Sequence, residues 1–140
     1  MSIYVVDSSV VIKWFVPERG TEAALRLLQE SHTFVAPDLL FAEVANILWK
    51  KTLRGELTEA ESRQLIEDVE QVAVETIPCR ELATDARELA LITSRSVYDA
   101  MYVALAVRLE TRVMTADERL VNALAAFPRL ASYVELLGAA

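Results

Sequence analysis

Short β-rich apolar runs alternate with longer stretches of helical periodicity along almost the whole chain. This alternation limits the fold more than any other feature. Ile3-Tyr4-Val5-Val6 is one such run, ended by Asp7. Residues 33–36, 74–77 and 112–115 are three more, and residues 133–136 read as a fifth, at an edge. Between them lie the helical segments. Ser8 and Ser9 offer capping hydroxyls to a short helix over 10–15, which Pro17 and Gly20 stop. Residues 21–31 place Ala24, Leu25, Leu27 and Leu28 at helical spacing. A helix over 39–53 has Asp38 as its cap and Gly55 as its stop. Thr58 and Glu61 form a capping box for a helix to about residue 73. Further helices are expected over 80–92, from Ser96 to about 109, and over 118–125. Strands that alternate with helices argue for an α/β fold, a parallel sheet covered on both faces. Ligands of such sheets lie beyond the carboxyl ends of the strands, near the point where strand order reverses.

With 140 residues, 54% of them hydrophobic, the chain suits one domain over 1–140 with a sizeable core. Three Gly and four Pro leave few breaks in regular structure. There is no internal repeat. The first fifteen residues have no basic leader, and Asp7 interrupts their apolar run, so they read as a strand rather than a signal peptide. No run approaches the ~20 apolar residues of a membrane span. The single cysteine, Cys79, has no internal partner, which suits a reducing cytoplasm. It reads as a half-buried small residue at a strand end.

Against this frame several carboxylates are out of place. Asp7 directly ends a β-rich run, where ligands bind in α/β sheets; the plainer alternative is a turn aspartate. Residues 39–49 contain two polar side chains in eleven, Glu43 and Asn46, three apart and so on one face. A helix apolar nearly all round is buried, and a buried carboxylate needs a compensating partner. The alternative is that the two mark an exposed stripe. Asp99 is the one charge in residues 97–107. It also fits a capping box with Ser96, at the third helical position, where the helix dipole favours an acid. Asp117 follows the fourth strand, and Thr115 with Glu118 fits a capping box that would leave Asp117 an ordinary first-turn residue.

The net charge is −7, which argues against a broad basic groove for nucleic acid. Treating four carboxylates as metal ligands brings it to −3, and bound cations reverse the local field. Hard cations such as Mg2+ or Mn2+ take oxygen ligands. They activate water and stabilise a leaving oxygen, so phosphodiester hydrolysis needs no histidine base. That agrees with a lone His32 placed before the second strand, where a surface or turn role is expected. Lys13, Arg19, Lys50, Lys51, Arg54 and Arg95 are candidate phosphate contacts, though most read as solvated surface charges. Trp14 and Phe15 are candidates for base stacking, with core or interface the favoured role.

Val6-Asp7-Ser8-Ser9-Val10, Glu43-Val44-Ala45-Asn46, Tyr98-Asp99-Ala100 and Thr115-Ala116-Asp117 with Leu120 together resemble the PIN domain family. The likeness is closest to the VapC-type toxins of prokaryotic toxin–antitoxin pairs, and it covers residues 3–137. The resemblance implies a three-layer α/β/α sandwich around a mainly parallel five-stranded sheet, and Mg2+- or Mn2+-dependent endoribonuclease activity. Asp7, Glu43, Asp99 and Asp117 match the family's acidic positions, as metal ligands and catalytic groups. Ser9 and Thr115 match small hydroxyl positions nearby, and Asn46 the Asn three residues after the Glu. The implied products carry a 5′-phosphate and a 3′-hydroxyl. The implied partners are an RNA substrate, a small antitoxin that sets a basic or aromatic residue near the acidic cleft, and a second copy of the chain.

Two other readings compete. A phosphoacceptor receiver domain has similar length and acidic strand ends, but it needs an Asp at the end of the third strand and a late Lys. Here Ile77-Pro78 ends that strand and no Lys follows residue 51. A non-catalytic binding module on the same fold would have no need of four acids.

Overall fold

The computed structural model describes residues 2–138; Met1, Ala139 and Ala140, which the expected single domain over 1–140 includes, lie outside them. Five strands, β1 (Ile3–Val6), β2 (Thr33–Pro37), β3 (Val74–Ile77), β4 (Val113–Thr115) and β5 (Val134–Leu136), form one sheet in the order β3-β2-β1-β4-β5. All four pairings are parallel, so the sheet is more uniform than the mainly parallel arrangement expected. The central β1 pairs Ile3 with Thr33 on one side and Val6 with Met114 on the other. Strand order reverses between β1 and β4, so the crevice lies at the ends of those two strands.

Seven helices complete the chain: α1 (Ser8–Phe15), α2 (Thr21–Gln29), α3 (Leu39–Leu53), α4 (Glu59–Glu70), α5 (Cys79–Thr93), α6 (Val97–Arg108) and α7 (Glu118–Ala125). α1 packs on α2 and α3, and α3 on α4; α5 packs on α6, which lies against β1, β2 and β4. Right-handed crossovers place these two groups on opposite faces of the sheet, giving three layers. α6 is the most enclosed helix. Its residues from Ala100 to Ala106 are all buried, which accounts for the near-absence of charge along it. Each edge strand carries a glutamate, Glu75 on β3 and Glu135 on β5. Charged edges discourage pairing with another sheet.

Several local expectations change. α1 begins at Ser8, and its cap is Asp7 itself, whose carboxylate accepts from the Ser9 N–H. The dipeptide Ser8-Ser9 is therefore helix rather than cap. Asp38 makes no cap bond to α3; its Oδ1 accepts from the Cys79 N–H at the start of α5, tying two strand ends together. Cys79 is half-buried there, as expected. The Thr58–Glu61 capping box is present, and Gly55 follows α3 with φ of 76°, the left-handed conformation a helix stop uses. α3 is not apolar on every face that packs: Ala45, Asn46 and Trp49 are exposed, and Trp49 is 56% accessible. Trp14 belongs to the core margin. Its indole N–H donates to the Ala24 carbonyl and its ring meets Phe34 at 5.2 Å. His32 accepts from the Ser2 N–H through Nδ1 and packs edge-on against Tyr4, in the turn role anticipated for it.

Candidate active site

The register of β1 against β4 sets Asp7 beside Thr115 at the carboxyl edge of the sheet. Asp7 is 8% exposed and Thr115 fully buried. The Asp7 carboxylate is held from both sides. Oδ1 accepts from the Ser9 N–H at 3.1 Å and the Ser9 hydroxyl at 2.5 Å, and Oδ2 accepts from the Thr115 hydroxyl at 2.5 Å. Ser9 Oγ in turn accepts from the Ala116 N–H, and Thr115 Oγ1 from the Asp117 N–H. Two hydroxyls thus lock the end of β1 to the end of β4. Burial pushes the Asp7 carboxyl up to about 6, partly opposed by the Ser9 and Thr115 bonds and reinforced by the nearby Glu43 charge.

Glu43 reaches the same region from α3. Its Oε1 accepts from the Tyr102 hydroxyl at 2.5 Å and from the Ser8 hydroxyl at 3.4 Å. Desolvation raises its carboxyl above the usual range; the Tyr102 bond lowers it, and repulsion from Asp99 raises it further. Tyr102 is buried on α6, and its hydroxyl is pushed far up by burial and by the Glu43 charge. It stays protonated and donates. Sequence reasoning passed over Tyr102, because one tyrosine in an apolar helix reads as core. Its position three residues after Asp99, on the same helix face, was the available signal.

Asp99 and Asp117 complete the group. Ser96 caps α6 and accepts from the Asp99 N–H, but the Asp99 carboxylate does not return to the cap. It accepts instead from Arg95, through Nε at 3.2 Å and Nη2 at 2.8 Å. The same Nη2 stands 3.7 Å from Asp117 Oδ2. The expected Thr115–Glu118 box is replaced by Asp117 as the cap of α7, accepting from the Arg119 N–H through Oδ1. Oδ2 is left to face Arg95.

The four acids are therefore neighbours in a chain: Asp7 with Glu43, Glu43 with Asp99, and Asp99 with Asp117 through Arg95. Ser9 and Thr115 lie within this group. Asn46 does not join it; it is exposed and, among the described residues, makes no hydrogen bond to the acids. Of the candidate cations, Lys13 and Lys51 both bind Glu18, Arg54 binds Glu56, and Lys50 is exposed. Arg19 lines a cleft of about 560 Å³ that opens beside Asp117, with Lys13 and Arg119.

The donor set is all oxygen, carboxylates and hydroxyls, which fits a hard divalent ion. Among the described residues no three acidic, histidine or cysteine groups already surround one point, and no buried polar side-chain atom lacks a partner. The acids are instead satisfied internally, Asp7 by hydroxyls and Asp99 with Asp117 by a guanidinium. A divalent ion at this edge would take over from those contacts.

The PIN domain model matches residues 4–125. Ribonuclease VapC3 of Pyrobaculum aerophilum is 37% identical over 118 residues, covering 83% of this chain and 90% of the relative. Among solved structures, Mycobacterium tuberculosis VapC20, a sarcin-ricin loop cleaving toxin, superposes with a TM-score of 0.67 at 15% identity, covering 86% of this chain and 94% of the other. A toxin-antitoxin complex from Klebsiella pneumoniae gives 0.57 at 15% identity, covering 94% and 95%.

Proposed function

The chain belongs to the PIN domain family, among its VapC-type members, and on that premise we propose that it is a divalent-metal-dependent endoribonuclease, the toxin of a type II toxin–antitoxin pair, with residues 1–140 as one nuclease domain. What supports this reading is the run of neighbours from Asp7, at the carboxyl edge of β1, to Glu43, to Asp99 and, through Arg95, to Asp117. The name ribonuclease borne by a 37% identical relative supports it.

Asp7, Asp99 and Asp117 are assigned as the residues that hold Mg2+ or Mn2+, with Glu43 as a further ligand or as the group that orients the attacking water. When bound, the ion supplies Lewis-acid stabilisation and lowers the pKa of water. The chain's own residues fix the geometry. Ser9 and Thr115 orient the Asp7 carboxylate, and Tyr102 and Ser8 orient Glu43. Exposed Arg19 and Arg119, at the cleft beside Asp117, offer phosphate contacts to an RNA strand entering there.

A protein antitoxin is the proposed partner. The toxin-antitoxin complex among the structural neighbours supports it, as does the fact that Asp99 and Asp117 already accommodate a guanidinium. A basic plug from a partner would suit the same acids. A homodimer is proposed on family grounds. Among the described residues no helix is long and apolar enough to cross a membrane, and a cytoplasmic setting is proposed with the lone Cys79 in support.

Induction in cells followed by mapping of RNA 5′ ends tests the reading. New ends are expected with the wild-type chain and not with Asp7→Asn. A non-catalytic binding module would give none with either. Equal cleavage by Asp7→Asn would overturn the assignment of Asp7.

A further inference from the structure

Arg95 occupies an unusual place for a surface arginine. It sits in the two-helix turn between α5 and α6, not within either helix. The backbone there is held tightly. Ser94 has φ of 61° and closes α5 through its N–H to the Ala90 carbonyl, the Arg95 N–H donates to Thr93 Oγ1 at 3.2 Å, and Ser96 caps α6. The Arg95 stem therefore starts from a fixed point at the rim of the acidic site.

Its side chain is 26% exposed. The other arginines in ion pairs are looser: Arg108 is 49% exposed, Arg63 72% and Arg119 89%. Two of the Arg95 donors converge on one oxygen of Asp99, and Nη2 also faces Asp117. An exposed ion pair four residues apart on one helix is a routine surface feature of little consequence. Arg95 differs on both counts. It precedes the helix cap, and it joins acids from two separate elements, the first turn of α6 and the cap of α7.

We propose that Arg95 is a resident counter-ion, which holds Asp99 and Asp117 together in the metal-free protein, competes with the divalent ion for both carboxylates, and leaves them when the ion binds. The proposal rests on the reading of these acids as metal ligands. Its physical basis is exclusion. Arg95 faces Asp99 Oδ2 and Asp117 Oδ2, and a divalent ion held by the same two carboxylates would stand close to a guanidinium of like charge, so the two would oppose each other there. Any free energy with which Arg95 binds the acids is subtracted from the affinity of the ion, and the coupling is reciprocal. Arg95 thereby sets the ion concentration at which the site fills. It also keeps the two carboxylates from repelling each other apart when no ion is present.

The test is Mn2+ binding by isothermal titration calorimetry to the wild-type protein, Arg95→Gln and Asp99→Asn, with no RNA present. Removing the competitor is expected to lower the Mn2+ Kd roughly tenfold in Arg95→Gln, while lowering its melting temperature in EDTA. A merely structural role would give weaker, not tighter, binding. An unchanged or raised Kd in Arg95→Gln, with Mn2+ still bound by the wild type and lost in Asp99→Asn, overturns the counter-ion proposal and leaves the metal site standing. Absence of Mn2+ binding in the wild type overturns both. The wild-type protein provides a second readout independent of any variant. Its Arg95 Nε–H resonance is expected to move and broaden as Mg2+ saturates the site, and a resonance unaffected by saturating Mg2+ also overturns the proposal.

Discussion

Replacing Asp7 by Asn should make the metal-free protein more stable at neutral pH while removing its activity. Asp7 is buried, and its carboxyl is raised from the ordinary 3.8 to about 6. Between those values the folded chain holds a proton that the unfolded chain has lost. Stability from this group is therefore fully present below about 3.8 and is lost as pH rises through about 6. At ~1.4 kcal/mol per pH unit of difference, ionised Asp7 costs the fold about 3 kcal/mol above pH 7. Asn is nearly isosteric, cannot ionise, and keeps an oxygen for the Ser9 N–H and hydroxyl, while its amide nitrogen takes the place of Oδ2 and donates to the Thr115 hydroxyl oxygen. The variant should match the wild type near pH 4 and exceed it by about 3 kcal/mol at pH 8, a rise in melting temperature of about 10 °C for a chain of this size. The assay is a pair of urea and thermal melts in EDTA at both pH values, reading the difference between variant and wild type. A variant less stable than the wild type at pH 8, or a difference that does not change with pH, would refute the reasoning.

Other expectations follow from the same contacts. Tyr102→Phe removes the 2.5 Å bond to Glu43 and should cost about 1–2 kcal/mol in urea melts, with kcat for RNA falling more than KM rises; an unchanged kcat would show that Tyr102 does not position Glu43. Glu18→Ala leaves Lys13 and Lys51 facing each other without the carboxylate that binds both at 2.9 and 3.0 Å. Burial raises the Glu18 carboxyl, but the two lysine bonds more than offset this and hold it below 4.5, so the loss, about 1 kcal/mol at pH 7, should fade as pH falls below that value. Mn2+ at a hundred times its Kd should raise wild-type stability by about 2.7 kcal/mol, and leave Asp99→Asn unmoved in the same thermal melt.

The architecture was legible because its signals are local. Ile3–Val6 and Val74–Ile77 are bounded by an acid or a proline and match the strands observed. The position of Asp7 was legible for a related reason, since the end of a strand in an α/β sheet is a place and not only a pattern. Glu43 was reached through a premise that holds only in part. α3 exposes Asn46 and Trp49, so burial on every face did not single out Glu43; its neighbour Tyr102, 59 residues away, holds it in place. The capping boxes around Asp99 and Asp117 misled in an instructive way. Ser96 does cap α6, but the Asp99 carboxylate is taken by Arg95, and Asp117 proved to be a cap itself. Sequence spacing shows that an acid can cap a helix. It does not show which of the acid's oxygens remain free, nor that a guanidinium from the preceding turn will claim them. Arg95 was legible as a cation but not as the partner of two acids, because its contact with Asp117 exists only through the fold.

The central claim is that these four acids make an acidic protein an RNA cutter by letting a metal ion meet the phosphate. Cleavage of RNA by purified protein, titrated with Mn2+ after exhaustive EDTA treatment, tests it most directly, with Asp7→Asn, Glu43→Gln, Asp99→Asn and Asp117→Asn in parallel. The account expects no cleavage in EDTA, recovery that saturates with Mn2+, and rates at least ~100-fold lower for each aspartate variant, since each removes a ligand. Cleavage that persists undiminished in EDTA, or wild-type rates from Asp99→Asn and Asp117→Asn, would contradict it.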